Sequence, residues 1–468
     1  MLLSSFDSFH RFWTLLESFS NGVSDTAERK ILQLASYAYN FCLPQTDTQT
    51  DTEKLAVLDT LLCLEYYSFS TKARKLQQEM IGRHMRTVFT AAKSQLSLHS
   101  GYPSEPVLAE AALNIVHLQR LAPRRSDFID DPMARMFTSL DDDTSEAINM
   151  GQRGENVGKM ILLQAYMNAV KESGSNTPWR KGCSVVSFLR HLLVQTKKGN
   201  VECSLPDNMT NGKELKEEFK DAWIRFTHFV RGADETAMSS SMAYASFLRG
   251  MAVIGCNSQD LVDVMIPILL RKDLPICEDV MSGLLVQFKC QSQRGSANAC
   301  AIEESAIEFF PPIGSNRDNQ SKTRRELSSK RSYIALVMEL GVAPTANPGV
   351  RTTEKIVTDE QRPKTARRNS DPIPYLPSAL QRQSPQIRTS LETHPRYAIF
   401  AYGCSSDVYS CIPYSKEATE RCRRLLYADH ATKRLPRTDH IRGTKPSWSS
   451  GRPACFSWVP DEFLNGQM

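Results

Sequence analysis

The sequence predicts an α+β protein: a helical N-terminal domain followed by an α/β core with a mixed central sheet. Three observations carry that prediction. Apolar residues recur at helical spacing through most of the first 145 positions. From residue 149 on, helical segments alternate with short runs rich in β-branched residues. Between them, a strand-and-helix order of this kind implies an α/β or α+β domain.

The elements follow in chain order. The N-terminus "MLLSSFDSFHRFWTLLESF" has no basic leading segment and is interrupted by Asp7, His10, Arg11 and Glu17, which fits an amphipathic helix rather than a signal peptide. "AERKILQLASYAYNF" places Ile31, Leu34, Ala35 and Ala38 on one helical face. "QTDTQTDTEK" is polar, low-complexity and expected to be a loop. "EKLAVLDTLLCLEYYSF" repeats the helical pattern with Leu55, Leu58, Leu62 and Tyr66. A long helix is expected over 69–96, with a stripe through Leu76, Met80, Met85, Val88 and Phe89. Another follows in "EPVLAEAALNIVHLQRLA", with Pro106 in its first turn. This gives an all-helical domain over 1–148.

The core is expected over 149–342. It opens with a helix in "GENVGKMILLQAYMNAVKE", with Gly151 and Gly154 before it and Val157, Ile161, Leu162 and Tyr166 on its apolar face. Strands are expected in "WIRFTHFV", "MAVIGC", "LVDVMIPILL", "SGLLVQFKC" and "SYIALVMELGV". Residues 343–395 are crowded with Pro, Ser, Thr and Arg and lack apolar periodicity, so they read as a disordered basic insertion. Arg367-Arg368-Asn369-Ser370 within it has the form of a basophilic phosphorylation site. A strand in "RYAIFAYG" and a helix in "SKEATERCRRLLYAD" complete the core over 396–430, and 431–468 is a basic, irregular tail.

Composition excludes several classes. No run of about eighteen apolar residues occurs, so no transmembrane helix and an intracellular, cytoplasmic or nuclear protein are expected. The twelve cysteines stand singly, without metal-site spacing, and are expected to be free thiols. Net charge is +5, unevenly spread. From Ile313 onward there are 25 Lys and Arg against 15 Asp and Glu, and before it 32 against 37. A basic C-terminal third suits nucleic-acid backbone, and disordered basic linkers give the same count.

Motifs narrow the chemistry. "GENVGKM" has three residues between its glycines and Met160 after Lys159, so it fails as a phosphate-binding loop. Glu155 would then be a first-turn acid that complements the helix dipole. The hairpin from Leu261 to Lys289 is more informative. Asp263 lies near the start of its first strand. Gln287 and Lys289, two apart, share one side of the second. Antiparallel pairing brings the start of one strand beside the end of the other. A carboxylate and an amide oxygen suit Mg²⁺, and a neighbouring lysine can activate water or hold a phosphate oxygen.

This arrangement, an acid opening one strand and "hhhQxK" ending the next, resembles the PD-(D/E)XK nucleases, the restriction-endonuclease-like superfamily. It is similar to the variant with Gln for the second acid, as in Mrr-type nucleases and Crinkler-type effectors. The resemblance implies a restriction-endonuclease-like core ordered helix, strand, strand, strand, helix, strand, with Mg²⁺ as cofactor. It makes Asp263 and Gln287 metal ligands, Lys289 the catalytic lysine, and Glu155 the acid of the first helix. "SANACAIEESAIEFF" would be the next helix. Roughly ninety residues between Glu155 and Asp263 require a large insertion, and no Pro-Asp pair precedes the strand. The chain also resembles a multi-copy fungal protein family of no established activity through "GYPSEPVLAEAA", "GQRGE", "RFTHF", "FLRGMAVI", "VMELGV" and "RYAIFAYGC".

Two functions therefore stand as expectations: a metal-dependent nuclease, or an inactive nuclease-like scaffold that binds protein or nucleic acid. The nuclease would contact backbone phosphates through Arg231 and Arg249 and through the basic C-terminal third. In the scaffold, the helical N-terminal domain would bind a protein partner. His228 in "RFTHF" is a candidate base or phosphate contact, with a satisfied strand histidine the commoner outcome. Cys404 has no evident His partner and reads as buried.

Overall fold

A computed structural model of the chain describes residues 51–66, 71–91, 98–102, 104, 106–121, 150–174, 179–195, 200–209, 211–256, 261–274, 276–289, 302, 307–310, 330–341, 349–352, 394–412 and 426. The expected helices of residues 1–41, most of 343–395, nearly all of the helix after residue 414 and the tail from 431 lie outside the described residues.

The chain enters through α1 (Asp51–Leu62), which starts inside the polar stretch expected to be a loop. Leu55 through Leu62 are all buried, so this helix is enclosed on every side, with Asp59 and Thr60 the polar residues among apolar ones. It stops earlier than its periodicity predicts. Cys63 turns left-handed at φ 53°, Leu64 N–H donates to Asp59 Oδ1 at 2.9 Å, and Lys159 Nζ donates to Leu62 O at 2.7 Å. These contacts meet backbone groups that a helix end leaves unpaired.

The long helix expected over 69–96 is also cut short. Helix α2 (Thr71–Arg83) gives way to an antiparallel ribbon, β1 (Thr87–Ala91) with β2 (Leu98–Gly101). The region is therefore not all-helical. The cause is Arg86, which is fully buried. Its guanidinium pairs with Asp59, donates to Ser100 Oγ at 2.9 Å and Ser100 O at 2.6 Å, and lies 4.8 Å from the Tyr66 ring. A buried charge must be paired, and those partners exist only if the chain leaves the helix. Val88 and Phe89, expected on a buried stripe, are exposed on the ribbon.

Helix α3 (Pro106–Leu121) matches its prediction, Pro106 included. Helix α4 (Met150–Glu172) begins before Gly151, so both glycines lie inside it. Then come β3 (Cys183–Ser184), α5 (Val185–Leu192), α6 (Leu215–Glu218), β4 (Trp223–Ile224), β5 (His228–Arg231), α7 (Ser240–Arg249), β6 (Met251–Ile254), β7 (Val264–Leu269), β8 (Met281–Lys289), β9 (Tyr333–Glu339), β10 (Gly349–Thr352) and β11 (Arg396–Tyr402). The strands expected in "MAVIGC", "LVDVMIPILL", "SGLLVQFKC", "SYIALVMELGV" and "RYAIFAYG" form, whereas the one expected in "WIRFTHFV" is split into β4 and β5, which pair with different strands. β10 is an addition, a strand inside the stretch read as a disordered insertion.

Nine strands make one curled, mixed sheet: seven run in the order β10-β11-β9-β8-β7-β4-β3, and β5 and β6 lie off that path. β7 pairs antiparallel with β8 along one edge, and its other edge is shared by β4 at one end and β6 at the other. β8, β9 and β11 are mutually parallel neighbours, and β5 runs parallel to β6. Both faces are covered. Val264, Ile266, Leu284, Val286, Leu336 and Ile399 join one core with α1, α3, α4 and α5. Met265, Leu269, Leu285, Ala335 and Val337 join a second with Phe247 of α7 and Phe309. Burial on both faces is why these strands read as continuous apolar runs. The N-terminal helices thus share the sheet's own core, and the described residues, from 51 to 426, belong to one compact unit.

Helix α4 is seated on the sheet at Gly158. A Cβ there would stand 2.2 Å from the Phe288 ring of β8. Gly158→Ala must push helix and strand apart, and we expect a loss of about 1–3 kcal/mol in a denaturant melt, with partial recovery in the Gly158→Ala/Phe288→Leu double variant.

Candidate functional site

The site sits where β7 begins and β8 ends. Regular alternation fails there. Val262 packs into the second core and Val264 into the first, although residues two apart in a strand share a face. Asp263 N–H donates to Val286 O at 2.9 Å, yet the register pairs Val286 with Val264. Two residues of the β7 entry therefore face one of β8, which is the arrangement of a β-bulge. The bulge sets the Asp263 carboxylate over the end of the hairpin, where Oδ2 accepts Phe288 N–H at 2.5 Å.

Burial pushes the Asp263 carboxyl up to about 6, the Phe288 N–H bond opposes this, and the charge of Glu155 raises it further while Lys289 and Arg231 lower it. Asp263 is thus within electrostatic range of three of the residues singled out in the sequence. Glu155 comes from the second turn of α4, one turn before Gly158, rather than from the first turn. It does not serve as a first-turn dipole acid. Burial raises its carboxyl as well, against Lys159 and Arg231 and with Glu65 adding to the rise. Beside it, Asn156 is buried with neither amide atom hydrogen-bonded among the described residues.

Gln287 and Lys289 follow the alternation of Leu285 toward the second core, so they share a face as expected. Gln287 is nearly buried and Lys289 half-buried at the strand end. In the parallel register Gln287 lies beside Val337 and Lys289 beside Glu339, a buried acid that the sequence reading overlooked. The bulge ends the β7–β8 register at Val264 and Val286, so Gln287 lies past the last pair.

The two predicted phosphate contacts part company. Arg231 ends β5 at the Asp263 end of the sheet, with Nη1 donating to Gly255 O at 2.9 Å and an ion pair to Glu65. Gly255 N–H in turn donates to Asp263 O at 2.8 Å. Arg249 belongs to the opposite end of β5 and β6, roughly 10 Å away at about 3.3 Å per residue. There it is bound to Ser104, with Nε 3.3 Å from Ser104 Oγ. His228 is a satisfied strand histidine. Its Nε2 lies 3.0 Å from Ser104 Oγ, its Nδ1 lies 3.0 Å from Thr227 Oγ1, and burial followed by the Arg249 charge pushes its ring down to about 3. Cys404 is only partly buried, against the first core.

Sequence reasoning missed Glu65 and Lys159. Lys159, set aside with the failed phosphate loop, is fully buried one turn after Glu155, and burial lowers its ammonium. The Glu155–Lys159 spacing of four residues was the readable signal. Glu65 reaches the site only through tertiary folding.

Among the described residues, no group of three or more His, Cys, Asp and Glu is placed to hold a metal ion. The donors at hand are two carboxylates and an amide, all oxygen. Mg²⁺ is commonly held by one or two carboxylates with water and phosphate completing its shell, so Asp263 and Glu155 fit that cation by donor chemistry, whereas Gln287 faces the second core, on the other side of β8 from α4.

An acid whose proton affinity is raised by folding weakens the fold when it ionises. The Asp263 contribution is intact near pH 4 and lost as pH rises through about 6. We expect Asp263→Asn, which keeps an acceptor for Phe288 N–H, to melt higher than the native protein at pH 8. The gain should be on the order of 1–3 kcal/mol and should vanish at pH 4.

No curated protein and no solved structure matches the chain. Residues 45–297, more than half of its length, match the model of a domain of unknown function, DUF8736. The helices and strands that build the site all fall within that stretch, apart from the β9 neighbour of Lys289, and the chain belongs to the DUF8736 family.

Proposed function

We propose that the chain is a metal-dependent nuclease that hydrolyses nucleic-acid phosphodiesters. The observation that carries this reading is Asp263: a bulge re-aims its carboxylate to the end of the β7–β8 hairpin, within charge range of Glu155, Lys289 and Arg231. Bulges recur beside active sites for this reason. A carboxylate kept buried and hard to ionise costs stability, which is the usual signature of a working group. Three consecutive antiparallel strands, β6 to β8, followed by a strand parallel to the last, agree with the element order of a restriction-endonuclease-like core. Its second helix was expected in "SANACAIEESAIEFF". That segment lies mostly outside the described residues, and the four residues described at its end, 307–310, are not helical.

In this mechanism Asp263 and Glu155 would hold Mg²⁺, which when bound would supply Lewis-acid polarisation of a phosphoryl oxygen, while Gln287 faces the second core, on the other side of β8 from Glu155. Lys289, half-exposed at the strand end, orients the attacking water and offsets charge that develops on the phosphate. Arg231 supplies a second positive charge on the same side. Arg249 would contact backbone beyond the scissile phosphate, if at all, because it stands at the other end of the sheet. The basic C-terminal third adds non-specific affinity for nucleic acid.

The scaffold reading keeps one observation of its own. Glu65, Glu155 and Asp263 already face Arg231, Lys159 and Lys289, three acids against three bases. Such a network can be neutral without any metal. In that reading the fold serves as a protein-interaction or nucleic-acid-binding module.

Plasmid DNA and structured RNA incubated with the full chain in Mg²⁺ or Mn²⁺ distinguish the two. We expect metal-dependent cleavage that rises between pH 5 and 7 as Asp263 ionises, and a fall of about 10²-fold or more in Lys289→Ala and Asp263→Asn. Folded protein that cleaves neither substrate would establish the scaffold instead.

A further inference from the structure

The nuclease reading leaves Glu65 without a role, although it touches the site's one arginine. Glu65 is not a loose surface acid. The chain just before it is fixed by the left-handed Cys63, by Leu64 N–H on Asp59 Oδ1, and by Lys159 Nζ on Leu62 O. From that fixed stretch its carboxylate pairs with Arg231 Nε. Arg231 Nη1 is bound at 2.9 Å to Gly255 O, and Gly255 N–H is bound at 2.8 Å to Asp263 O. The guanidinium is therefore clamped at two points, and the second clamp leads directly to the backbone of Asp263. Glu65 and Arg231 are both partly exposed, at 34% and 24%, so neither is locked in by burial.

We propose that Glu65 and Arg231 form a latch on the carboxylate site, in which Arg231 and a divalent cation are alternative partners for Glu155 and Asp263, and Glu65 holds the arginine aside. The proposal rests on the metal-binding reading given above. The reasoning is charge accounting in a poorly solvated space. Two carboxylates there need positive charge nearby, and the Arg231 guanidinium, two strands from β7, adds to what Lys159 and Lys289 already supply. An arriving cation meets its repulsion and must outcompete it. Glu65 weakens that competition by giving the guanidinium an anion of its own.

The two partners should then act in opposite directions on metal affinity, and Glu65→Gln should have no effect once Arg231 is replaced by Gln, which separates the latch from the plain charge of either residue. Binding of Mn²⁺ alone to the full chain can be followed at pH 7.5 by loss of the free-ion electron paramagnetic resonance signal, with Asp263→Asn as the site control. Arg231→Gln removes the competitor, and we expect Mn²⁺ to bind about tenfold more tightly. Glu65→Gln turns the arginine toward the carboxylates, and we expect binding about tenfold weaker. Glu65→Asp, which keeps the anion, should fall between Glu65→Gln and the native protein. Far-ultraviolet circular dichroism and a thermal melt of each variant establish that it is folded. If both variants shift affinity the same way, or neither does, while Asp263→Asn abolishes binding, the latch is overturned and the metal site stands. If the native chain does not bind Mn²⁺, or Asp263→Asn binds it equally well, the metal site and the latch fall together.

Discussion

The approach of α4 to β8 at Gly158 governs how the rest of the molecule is arranged. Helices and strands normally keep a distance set by their side chains, and here one of the two has none. The Phe288 ring occupies the space where a Cβ would be. The helix is thereby lowered onto the hairpin end, with Glu155 one turn to one side and Lys159 immediately to the other. Past this contact α4 is buried continuously, Tyr166 donating to Trp179 O at 2.5 Å. One end of the helix is therefore in the core and the other in the charge cluster, so the core's rigidity is transmitted to the carboxylate.

That cluster is expensive. Burial disfavours the ionised forms of Glu155 and Asp263 and of Lys159 alike. What opposes neutralisation is mutual attraction, with each group finding an opposite charge on another element. The Asp59–Arg86 pair shows a different use of the same physics. It is fully enclosed and backed by Ser100 and the Tyr66 ring, and it serves to end a helix and fix a ribbon. A similar clasp joins distant parts of the chain at Arg396, whose Nε is 2.8 Å from Asp207 Oδ1. These two pairs have firm geometric partners. The carboxylates at the hairpin end share theirs.

Much of the sheet was legible because strands buried on both faces announce themselves as apolar runs. "VMIPIL", "LLVQFK", "YIALVME" and "RYAIFAY" all formed where they were expected. The hairpin pairing, and with it the proximity of Asp263 to Lys289, followed from the short connection between β7 and β8. What could not be read was whatever depends on a distant partner. Helix α2 ends because Arg86 must reach Asp59, 27 residues earlier, and Ser100, 14 residues later. Propensity contains no term for either. The bulge at Asp263 has no glycine or proline to mark it. Glu65 and Arg231 are 166 positions apart in sequence and adjacent only in the fold. The first-turn placement of Glu155 failed for a local reason, since two glycines suggested a boundary and the helix continued through them.

The parallel run β8-β9-β11 has a consequence for how the chain can be divided. The stretch that matches the family model ends at 297, so it contains β8 but neither β9 nor β11. In a piece of chain ending there, the whole outer edge of β8 would lack its ladder partner. Leu284 to Lys289, six residues of which four are buried in the full protein, would lose that ladder and present bare N–H and C=O groups flanked by apolar side chains. Such an edge is a template for pairing with a second copy. The portion that holds the carboxylates and the lysine is thus not self-sufficient, and the strand that shields it arrives from well beyond the shared sequence.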